Sequence, residues 1–376
     1  MKETKKRISI LTMSMGSGGA ERVIQRLLEL LVNDYEVYLY MIYNDVYYEI
    51  PEQVTIRSLY KDSHNHYFRG FRSVFECSFG YKKFLIRNNI DYSISFTFRP
   101  NIINASLKNK LPGVKFILSE RDYPSGFNRK SFLSSKFHGW LRTNFYNKAD
   151  RLFSNSLYIN KALYEDFGIR VPMDVLYNPI KIPKEVAHLE EKDRLKIITI
   201  GRFDKAKNHF LLLRTLVNTI NCFAEIWGDG SLRLRYEEFI KDNNLGQIVT
   251  LPGKTKNVNA KLICADVFVL TSNTEGFPNV LLEAMSVGLP VISTNCLSGP
   301  LEMLNDNEDV VIPKGSFVKA KYGLLINPED EDGLVNALQF YSNLSNRKEY
   351  ALKARNRAES YNLPKIYNEF ISIIEK

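Results

Sequence analysis

The sequence predicts an α/β protein made of two doubly wound, Rossmann-like domains that face a cleft. The chain has 376 residues, of which 44% are apolar and 12% aromatic, enough for two hydrophobic cores. Short apolar runs alternate with longer segments of helical period, the pattern of a parallel sheet covered by helices. A polar, charged stretch interrupts this pattern after Pro183, and the pattern then begins again.

The first domain is predicted to span residues 1–183. Its predicted elements are a strand at 8–13, a helix at 21–31 and strands at 37–42, 116–119 and 151–154. The first apolar run follows basic residues, as in a signal peptide. It is short, lacks a small-residue cleavage site and continues into a glycine-rich turn, which favours a strand. No stretch approaches the ~18 apolar residues of a spanning helix, so any membrane association is expected to be peripheral.

The second domain is predicted to span residues 184–363, after a hinge at 184–196. We expect residues 364–376 to form a helix that packs back on the N-terminal domain. The predicted strands of the second domain are 196–201, 223–228, 249–252, 267–271, 291–294 and 322–326, and its predicted helices are 211–217, 232–243, 257–264 and 280–287. In such sheets ligands bind outside the carboxyl ends of the strands, so the loops that follow them should hold the chemistry.

The four cysteines are scattered and have no CxxC pattern or histidine-rich partners. This argues against a zinc site or a disulfide framework, and we expect Cys77, Cys222, Cys264 and Cys296 to be buried thiols. The turn after the first strand lacks the third glycine of a G-x-G-x-x-G motif, so an NAD site is not expected. We expect no metal and no cofactor.

The net charge of +9 is unevenly distributed. Residues 1–183 hold 27 Lys and Arg against 17 Asp and Glu, whereas residues 184–376 hold 24 against 25. The cationic half suggests contact with a polyanion, either anionic lipid, a phosphate-bearing acceptor or nucleic acid. A basic surface that only keeps the protein soluble is the alternative interpretation.

The segment from Glu275 to Glu283 carries the strongest functional signal. It follows a predicted strand, and a helix is predicted to begin near Pro278, a residue suited to a first helical turn. The free N–H groups and the dipole of such a helix start attract an anionic group. Carboxylates beside a phosphate site are better suited to accept hydrogen bonds from hydroxyl groups, so a diphosphate between a ribose and a sugar fits. By spacing alone, a solvated helix face plus a loop carboxylate would be the better interpretation of the two glutamates.

A second polar loop follows the predicted strand at 196–201. Arg202 can grip two phosphate oxygens at once, and Lys207 supplies a point charge. Together they could neutralise a leaving diphosphate without a metal. Surface basic residues are the alternative interpretation of this loop.

These motifs, in their order along the chain, resemble those of the family-four retaining glycosyltransferases, which have the two-Rossmann GT-B fold. Residues 275–283 look like the family's E-x7-E element, and Gly201-Arg202 with Lys207-Asn208 looks like its phosphate-binding element. Further segments similar to family patterns are Gly18-Gly19, Asn178-Pro179-Ile180, Gly228-Asp229-Gly230 and Ser298-Gly299-Pro300.

The resemblance implies a role for each matching residue. Glu283 would hold the ribose hydroxyls and Glu275 those of the donor sugar, while Arg202 and Lys207 would stabilise the departing nucleotide diphosphate. The remaining donor contacts would come from Gly276, Phe277, Pro278, Asn279 and Val280 at the helix start, from Lys254 in the loop that faces the base, and from Gly18 and Gly19, where no Cβ hinders approach to the diphosphate. Metal is not required in this family.

Arg121 marks a departure from the family. Many members have a histidine after the strand at 115–118 that reaches the donor sugar, and Arg121 occupies that position here. Arginine stays charged and cannot act as a general base, so a catalytic role would be electrostatic. A surface Glu-Arg-Asp turn is the alternative. The resemblance favours front-face transfer, in which the leaving diphosphate takes the proton from the acceptor hydroxyl.

Residues 67–87 combine seven aromatic and five basic residues. Their phenylalanines recur at helical spacing, and basic residues occupy the remainder: Phe68, Phe71, Phe75 and Phe79, with Arg69, Arg72, Lys82, Lys83 and Arg87. A second basic and aromatic stretch, 127–148, includes Trp140. Basic amphipathic helices are typical of membrane surfaces, and some family members hold a lipid-linked diphosphate acceptor in such a region. A phenylalanine stripe is also typical of a helix packed on the domain core.

From these observations we expect a metal-independent, retaining hexosyltransferase. It would transfer a hexose or N-acetylhexosamine from a UDP-sugar to a polyprenyl-diphosphate-linked glycan in bacterial surface polysaccharide synthesis. We expect it to be cytoplasmic and to bind the anionic inner face of the cell membrane, with Arg69, Arg72, Lys82 and Lys83 at the acceptor or the membrane. The alternatives are a transferase for a soluble or protein acceptor and a nucleic-acid-binding protein. No nucleic-acid-binding motif accompanies the pI of 9.1.

Overall fold

The computed structural model describes residues 5–61, 71–124, 132–219 and 221–376. In the helices at Phe71–Arg87 and Phe132–Tyr146, the side chains are described from residues 74 and 136 onward. The chain forms two compact units. The first comprises Met1–Pro179 and Leu363–Lys376, and the second comprises Ile180–Asn362. The division therefore falls after Pro179 rather than at residue 183, and the returning segment begins at Leu363 rather than at residue 364.

The first unit contains a seven-stranded parallel sheet of order β3-β2-β1-β4-β5-β6-β7. Its strands are β1 (Arg7–Thr12), β2 (Glu36–Tyr43), β3 (Thr55–Tyr60), β4 (Tyr92–Phe96), β5 (Lys115–Glu120), β6 (Arg151–Ser154) and β7 (Met173–Val175). Its helices are α1 (Gly19–Asp34), α2 (Phe71–Arg87), α3 (Phe98–Ala105), α4 (Phe132–Tyr146), α5 (Leu157–Phe167) and α13 (Leu363–Glu375). The strand order reverses between β1 and β4, as in a doubly wound sheet.

Alternation along β2 shows why helices cover both faces of this sheet. Val37 and Leu39 pack with α1 and α13, whereas Tyr38 and Tyr40 pack with α2 on the opposite face. Successive side chains of a strand point to opposite faces, so a strand that is apolar at every position must be buried on both.

The C-terminal helix α13 belongs to the first unit, as predicted. Its apolar face joins the core beside α1, with Phe370 fully buried and its ring 5.9 Å from that of Phe153. The hydroxyl of Tyr367 donates a hydrogen bond to Asp34 at the end of α1. An amphipathic helix with one strongly apolar face needs such a partner surface to be stable.

Strand β4 was not among the predicted strands because serine occupies two of its five positions. Ser93 and Ser95 are fully buried, and their hydroxyls donate hydrogen bonds to Asn104 and Asn101 of α3 at 2.5 and 2.7 Å. Buried hydroxyls are tolerated when they are hydrogen-bonded, so this strand can be central in the sheet although two of its five residues are serines.

The second unit has a seven-stranded sheet of order β10-β9-β8-β11-β12-β14-β13. Its strands are β8 (Leu195–Ile200), β9 (Cys222–Trp227), β10 (Val249–Gly253), β11 (Val267–Leu270), β12 (Val291–Thr294), β13 (Phe317–Lys319) and β14 (Leu324–Ile326). Its helices are α6 (His209–Val217), α7 (Arg233–Asp242), α8 (Val258–Leu262), α9 (Asn279–Ser286), α10 (Pro300–Asn305), α11 (Glu331–Ser342) and α12 (Leu344–Glu359). Only β13 is antiparallel to its neighbour among these described strands. The prediction of two Rossmann-like α/β domains is thus confirmed.

The predicted hinge at residues 184–196 is wrong in its position. The backbone N–H of Ile180 donates to Tyr361 O at 2.8 Å, so the chain already belongs to the second unit there. Ala187 N donates to Val287 O at 2.8 Å, and Arg347 donates to Glu190 O at 2.8 Å. These hydrogen bonds hold residues 187–190 against the second unit, although the polar composition of this segment predicts a free linker.

The prediction of four buried thiols holds for three cysteines. Cys77, Cys222 and Cys296 are buried, and burial raises the pKa of Cys77 and Cys222 to about 11 and that of Cys296 to about 12. Cys264 is exposed, because it lies in the turn between α8 and β11. None of the described helices combines the length and hydropathy needed to cross a bilayer.

Candidate functional site

Two loops of the second unit begin side by side because β8 and β11 are paired, parallel strands. The loop after β8 (residues 201–208) is bonded to the loop after β11 (residues 271–278). Thr271 Oγ1 donates to Lys207 O at 3.0 Å, and Asn273 N donates to Ala206 O at 2.8 Å. The two motifs, which are some 70 residues apart in sequence, form one surface at the carboxyl ends of the strands, where parallel sheets bind ligands.

Lys207 and Glu275 form an ion pair on this surface. Lys207 Nζ lies 2.5 Å from Glu275 Oε1, and the two side chains are only 20% and 10% exposed. The hydroxyl of Ser272 donates to the same oxygen at 2.5 Å. The pair thus has a fixed position, and each charge offsets the cost of burying the other.

Asp204 organises the loop that carries the predicted phosphate-binding cations. Its Oδ1 accepts hydrogen bonds from the backbone N–H groups of Ala206 and Lys207, both at 3.0 Å. Its Oδ2 lies 3.2 Å from Nε of Arg202, whose side chain is 80% exposed. Arg202 therefore shares the loop with Lys207, but its guanidinium points into solvent rather than to the Lys207–Glu275 pair.

Two glycines after β9 pack closely against the backbone of this loop. Gly228 has a φ of +145°, and a Cβ there would lie 1.8 Å from Gly201 O. A Cβ at Gly230 would lie 2.6 Å from Phe203 O. The two backbone segments approach so closely that only glycine fits, which explains why residues 228 and 230 are glycines.

Helix α9 begins at Asn279, near Pro278 as predicted, but Pro278 occupies the N-cap position rather than the first helical turn. Ser298 Oγ donates to Gly276 O at 2.8 Å, and a Cβ on Gly299 would lie 2.7 Å from Pro278 Cδ. The turn before the helix is therefore held by close packing. Its N-terminal N–H groups keep a fixed orientation, as an anion site requires.

The side chains of this turn differ in their accessibility. Phe277 is 4% exposed, and its ring packs edge-on against Tyr361 at 5.4 Å, while Pro278 is also buried. Only the backbone of these two residues is available for a ligand, whereas Gly276, Asn279 and Val280 are partly exposed. Glu283 lies in the second turn of α9 and is 6% exposed.

His209 starts α6 beneath the same loop and is fully buried. Burial, with a smaller contribution from Lys207, lowers its pKa to about 3. The imidazole is therefore neutral at physiological pH. Its ring packs against Phe203 at 5.4 Å and Tyr236 at 5.8 Å, which gives it a packing role.

The remaining donor-site predictions are Lys254 in the second unit and Gly18 and Gly19 in the first. Lys254 is exposed in the loop after β10, and no described contact joins it to the pair. Gly18 and Gly19 lie in the first unit, exposed at the start of α1. Gly18 has an ordinary φ of −81°, so its role does not depend on an unusual backbone conformation. Their contacts with a donor stay predictions.

Arg121 follows β5 in the first unit and is 5% exposed, so the interpretation as a surface turn is wrong. Its Nη2 donates a hydrogen bond to Asn178 Oδ1. Burial lowers the pKa of Arg121 to about 9, which leaves the guanidinium charged at neutral pH. Its catalytic role stays a prediction.

The basic and aromatic stretch falls on α2 and α4. Lys82 and Lys83 lie on α2, whereas Arg69 and the side chain of Arg72 fall outside the described residues. Phe75 and Phe79 are 66% and 63% exposed, so at these positions the stripe does not pack on the core. The alternative interpretation, that the phenylalanine stripe packs on the domain core, is therefore wrong for these two rings.

Sequence reasoning missed several residues that hold the predicted site residues Glu275, Lys207 and Arg121 in place. Ser272 and Asp204 hold Glu275 and Lys207, and Asn155 donates through Nδ2 to Arg121 O at 3.3 Å. Each is a polar residue within a few positions of a strand end, which was the available signal. Among the described residues, no group of three or more His, Cys, Asp or Glu side chains could hold a metal ion.

Two family models match the chain: Glycosyl transferases group 1 over residues 181–360 and Glycosyltransferase Family 4 over residues 17–182. The chain is 30% identical over 376 residues to the N-acetylgalactosamine-N,N'-diacetylbacillosaminyl-diphospho-undecaprenol 4-alpha-N-acetylgalactosaminyltransferase of Campylobacter jejuni, covering 98% of this chain and 99% of the relative. It is 29% identical to the same organism's GalNAc-alpha-(1->4)-GalNAc-alpha-(1->3)-diNAcBac-PP-undecaprenol alpha-1,4-N-acetyl-D-galactosaminyltransferase, covering 98% of each.

Solved structures share the fold. Sucrose-phosphate synthase from Thermosynechococcus elongatus superimposes with a TM-score of 0.82 at 17% identity, covering 99% of this chain and 98% of that chain. Anabaena HepE in complex with UDP gives a TM-score of 0.75 at 16% identity, covering 98% and 99%. With both family models matched in order and a full-length relative at 30% identity, this chain belongs to the group 1, family 4 glycosyltransferases and has their GT-B fold.

Proposed function

We propose that the protein is a retaining, metal-independent glycosyltransferase that uses a UDP-sugar. The observation that carries this proposal is the Lys207–Glu275 pair beside the start of α9, which sets a cation and a hydroxyl-binding carboxylate next to a helix N-terminus. The solved HepE structure, which has the same fold, contains UDP, and this supports the choice of nucleotide.

The two residues of the ion pair would bind different parts of a nucleotide sugar: Lys207 the diphosphate and Glu275 the sugar. Lys207 donates one of its three N–H groups to Glu275 Oε1, so the others are available for oxygens of the leaving diphosphate. Glu275 accepts at Oε1 from Lys207 and Ser272, and no described residue donates to Oε2. Oε2 is thus suited to a sugar hydroxyl, while Glu283 would accept from the ribose.

Front-face transfer needs no protein nucleophile. The bond between the anomeric carbon and the diphosphate oxygen breaks, the acceptor oxygen attacks from the same face, and its proton passes to the leaving diphosphate oxygen. Lys207 and Arg202 stabilise the charge that develops on the diphosphate. The fixed pair and the packed turn before α9 hold the donor in place, so catalysis rests on positioning.

We propose that the sugar is a hexose or N-acetylhexosamine and that the acceptor is a polyprenyl-diphosphate-linked glycan in bacterial surface polysaccharide synthesis. The two Campylobacter jejuni relatives, whose names specify undecaprenyl-diphosphate-linked acceptors, support this choice along their full length. A lipid acceptor requires the enzyme to work at a membrane surface.

Helices α2 and α4 offer a surface for that membrane. Phe75 and Phe79 protrude from α2, and Lys83 Nζ lies 4.3 Å from the centre of the Phe79 ring. On α4, Phe137 and Trp140 are 46% and 53% exposed, with their rings stacked 6.2 Å apart. Exposed rings next to lysines suit the headgroup region of an anionic leaflet, so we propose peripheral binding to the inner face of the cell membrane.

The donor and acceptor are tested by incubating UDP-sugars with polyprenyl-diphosphate-linked glycans and detecting the product by mass spectrometry, with NMR to assign the anomeric configuration. Glu283→Ala should weaken UDP binding at least about 10-fold, because a buried acceptor of ribose hydrogen bonds is lost. Glu238→Ala, an exposed carboxylate on α7, is the matched control. Strong, salt-sensitive nucleic-acid binding without UDP binding would refute the proposal.

Membrane binding is tested by co-sedimentation with vesicles of anionic or neutral lipid. The double variant Phe75→Ser, Phe79→Ser should lose most binding to anionic vesicles, while Leu352→Ser, which removes a 63% exposed side chain in the second unit, should bind as wild type does. Equal binding by the two variants would contradict the assignment of this surface.

A further inference from the structure

A guanidinium with unused hydrogen-bond donors lies at the carboxyl end of β5 in the first unit. Arg121 is 95% buried, and Nη2 donates to Asn178. Its Nε and Nη1 are buried and have no hydrogen-bond partner among the described residues. Buried polar groups are almost always hydrogen-bonded, so two unsatisfied donors on one side chain indicate that a partner is missing.

Neighbouring carboxylates do not supply this partner. Glu120 is oriented toward α4, where its Oε2 accepts from Tyr146 at 2.7 Å and lies 3.6 Å from Nε of the buried Arg142. Asp122 contributes electrostatically to Arg121 but is itself exposed. Glu120 is thus the one buried carboxylate near two buried guanidiniums, and with the exposed Asp122 it compensates the charge of Arg121 only in part. A buried cation that is only partly compensated is costly, and such costs are typically tolerated at binding sites.

The groups around Arg121 favour a ligand that carries hydroxyls as well as negative charge. The amide of Asn155 is anchored to Arg121 O through Nδ2 at 3.3 Å, and its Oδ1 is buried without a described partner. Ser119 Oγ, two residues before Arg121, is likewise without one. A guanidinium beside such acceptors matches a sugar phosphate better than a simple anion.

We propose that Arg121 forms an oxyanion subsite in the first unit that binds a phosphate oxygen of a substrate diphosphate. The guanidinium would donate one charge-assisted hydrogen bond from Nε or Nη1 to an oxygen of the diphosphate, and the other group could reach a second oxygen of the same ligand. Asn178 and Asn155 hold the side chain and its backbone in position. The subsite rests on the proposed function only for the source of the phosphate, which is either the lipid-linked acceptor or the nucleotide sugar.

Inorganic pyrophosphate tests the subsite directly. The full-length Arg202→Ala, Lys207→Ala variant removes the two predicted diphosphate cations of the second unit, so its remaining pyrophosphate affinity reports on the first unit. Adding Arg121→Gln should lower that affinity about 10- to 100-fold. Arg170→Gln, which removes an exposed guanidinium of the same unit, should not change it. Unchanged affinity with Arg121→Gln would overturn the proposal.

Thermal stability separates binding from a structural role. Because the substitution removes a buried cation whose charge is only partly compensated, ligand-free Arg121→Gln should melt no lower than wild type. A fall in Tm together with unchanged pyrophosphate affinity would identify Arg121 as structural and overturn the subsite. Arg121→Lys, which keeps the charge but loses the planar fork, serves as a second variant and should bind pyrophosphate with intermediate affinity.

Two further measurements identify the source of the phosphate. A raised KM for the polyprenyl-diphosphate-linked acceptor, with UDP affinity unchanged, assigns the subsite to the acceptor. A weaker UDP affinity assigns it to the donor, and either result supports the subsite. Failure of wild-type protein to bind UDP would instead contradict the proposed function, whereas the pyrophosphate result would still stand.

Discussion

Gly228→Ala should disrupt the loop that carries Arg202 and Lys207. The new Cβ would lie 1.8 Å from Gly201 O, whereas carbon and oxygen atoms in contact are about 3.3 Å apart. One of the two backbone segments must therefore move by roughly 1.5 Å. Because Gly201 is the first residue of the loop, this displacement passes directly to the predicted diphosphate-binding residues.

The expected loss of stability has two components. Forcing alanine to a φ of +145° costs about 1–3 kcal/mol, and overpacking adds about 1–3 kcal/mol. The sum of about 2–6 kcal/mol corresponds to a Tm at least about 4 °C lower for a unit of this size. UDP affinity should fall at least about 10-fold, which corresponds to a further 1.4 kcal/mol.

Chemical denaturation and calorimetric UDP titration check both effects. Gly246→Ala is the matched control, since a Cβ there meets nothing within 4 Å. That variant should stay within about 0.5 kcal/mol of wild type and bind UDP equally well. If Gly228→Ala were as stable as Gly246→Ala, the close approach of β9 to the Gly201 loop would be refuted.

Three further changes probe other parts of the molecule. Lys207→Ala should weaken UDP binding about 10- to 100-fold through loss of a charge-assisted hydrogen bond, while Lys205→Ala, exposed in the same loop, should not; equal calorimetric affinities would contradict this. Burial lowers the pKa of His209 to about 3 in the folded protein, against 6.5 in the unfolded chain. The contribution of a neutral His209 to the free energy of unfolding is therefore fully present above pH 6.5, and it is lost as the pH falls toward 3, by about 1.4 kcal/mol per pH unit. His209→Gln should flatten this slope in denaturation at pH 4.5 and 7, and an unchanged slope would argue against it. Phe370→Ala should cost the first unit about 3–5 kcal/mol in denaturant unfolding, and a loss no larger than that of exposed Ser372→Ala would rule out α13 as part of its core.

Local sequence patterns correctly predicted those strands and helices whose buried residues are the apolar ones in the repeating pattern. The strands β6 and β12 coincide with their predicted ranges, and the start of α9 after Pro278 was read from a proline and a strand end. Prediction failed where a distant partner offset a local cost. Two of the five residues of strand β4 are serines, and asparagines of α3 satisfy their buried hydroxyls.

The same limit applies to surfaces. Phe75 and Phe79 have the spacing of a core-facing stripe, and only the packing of α2 against the sheet shows that they face outward. Cys264 is exposed for a comparable reason, because its position in a turn rather than its residue type decides its environment. Periodicity states that a helix has an apolar face, but it does not state which neighbours cover it.

Residues close together in the chain were enough to predict the fold class and the motifs that point to a glycosyltransferase, because both depend on local patterns. Tertiary structure alone decided that Lys207 meets Glu275, and that Arg121 is buried against Asn178 with two unused donors. Those contacts depend on which strands are neighbours and on how closely the loops pack. Strand neighbours and loop packing are both set by residues far apart in the chain, so a local sequence pattern does not predict them.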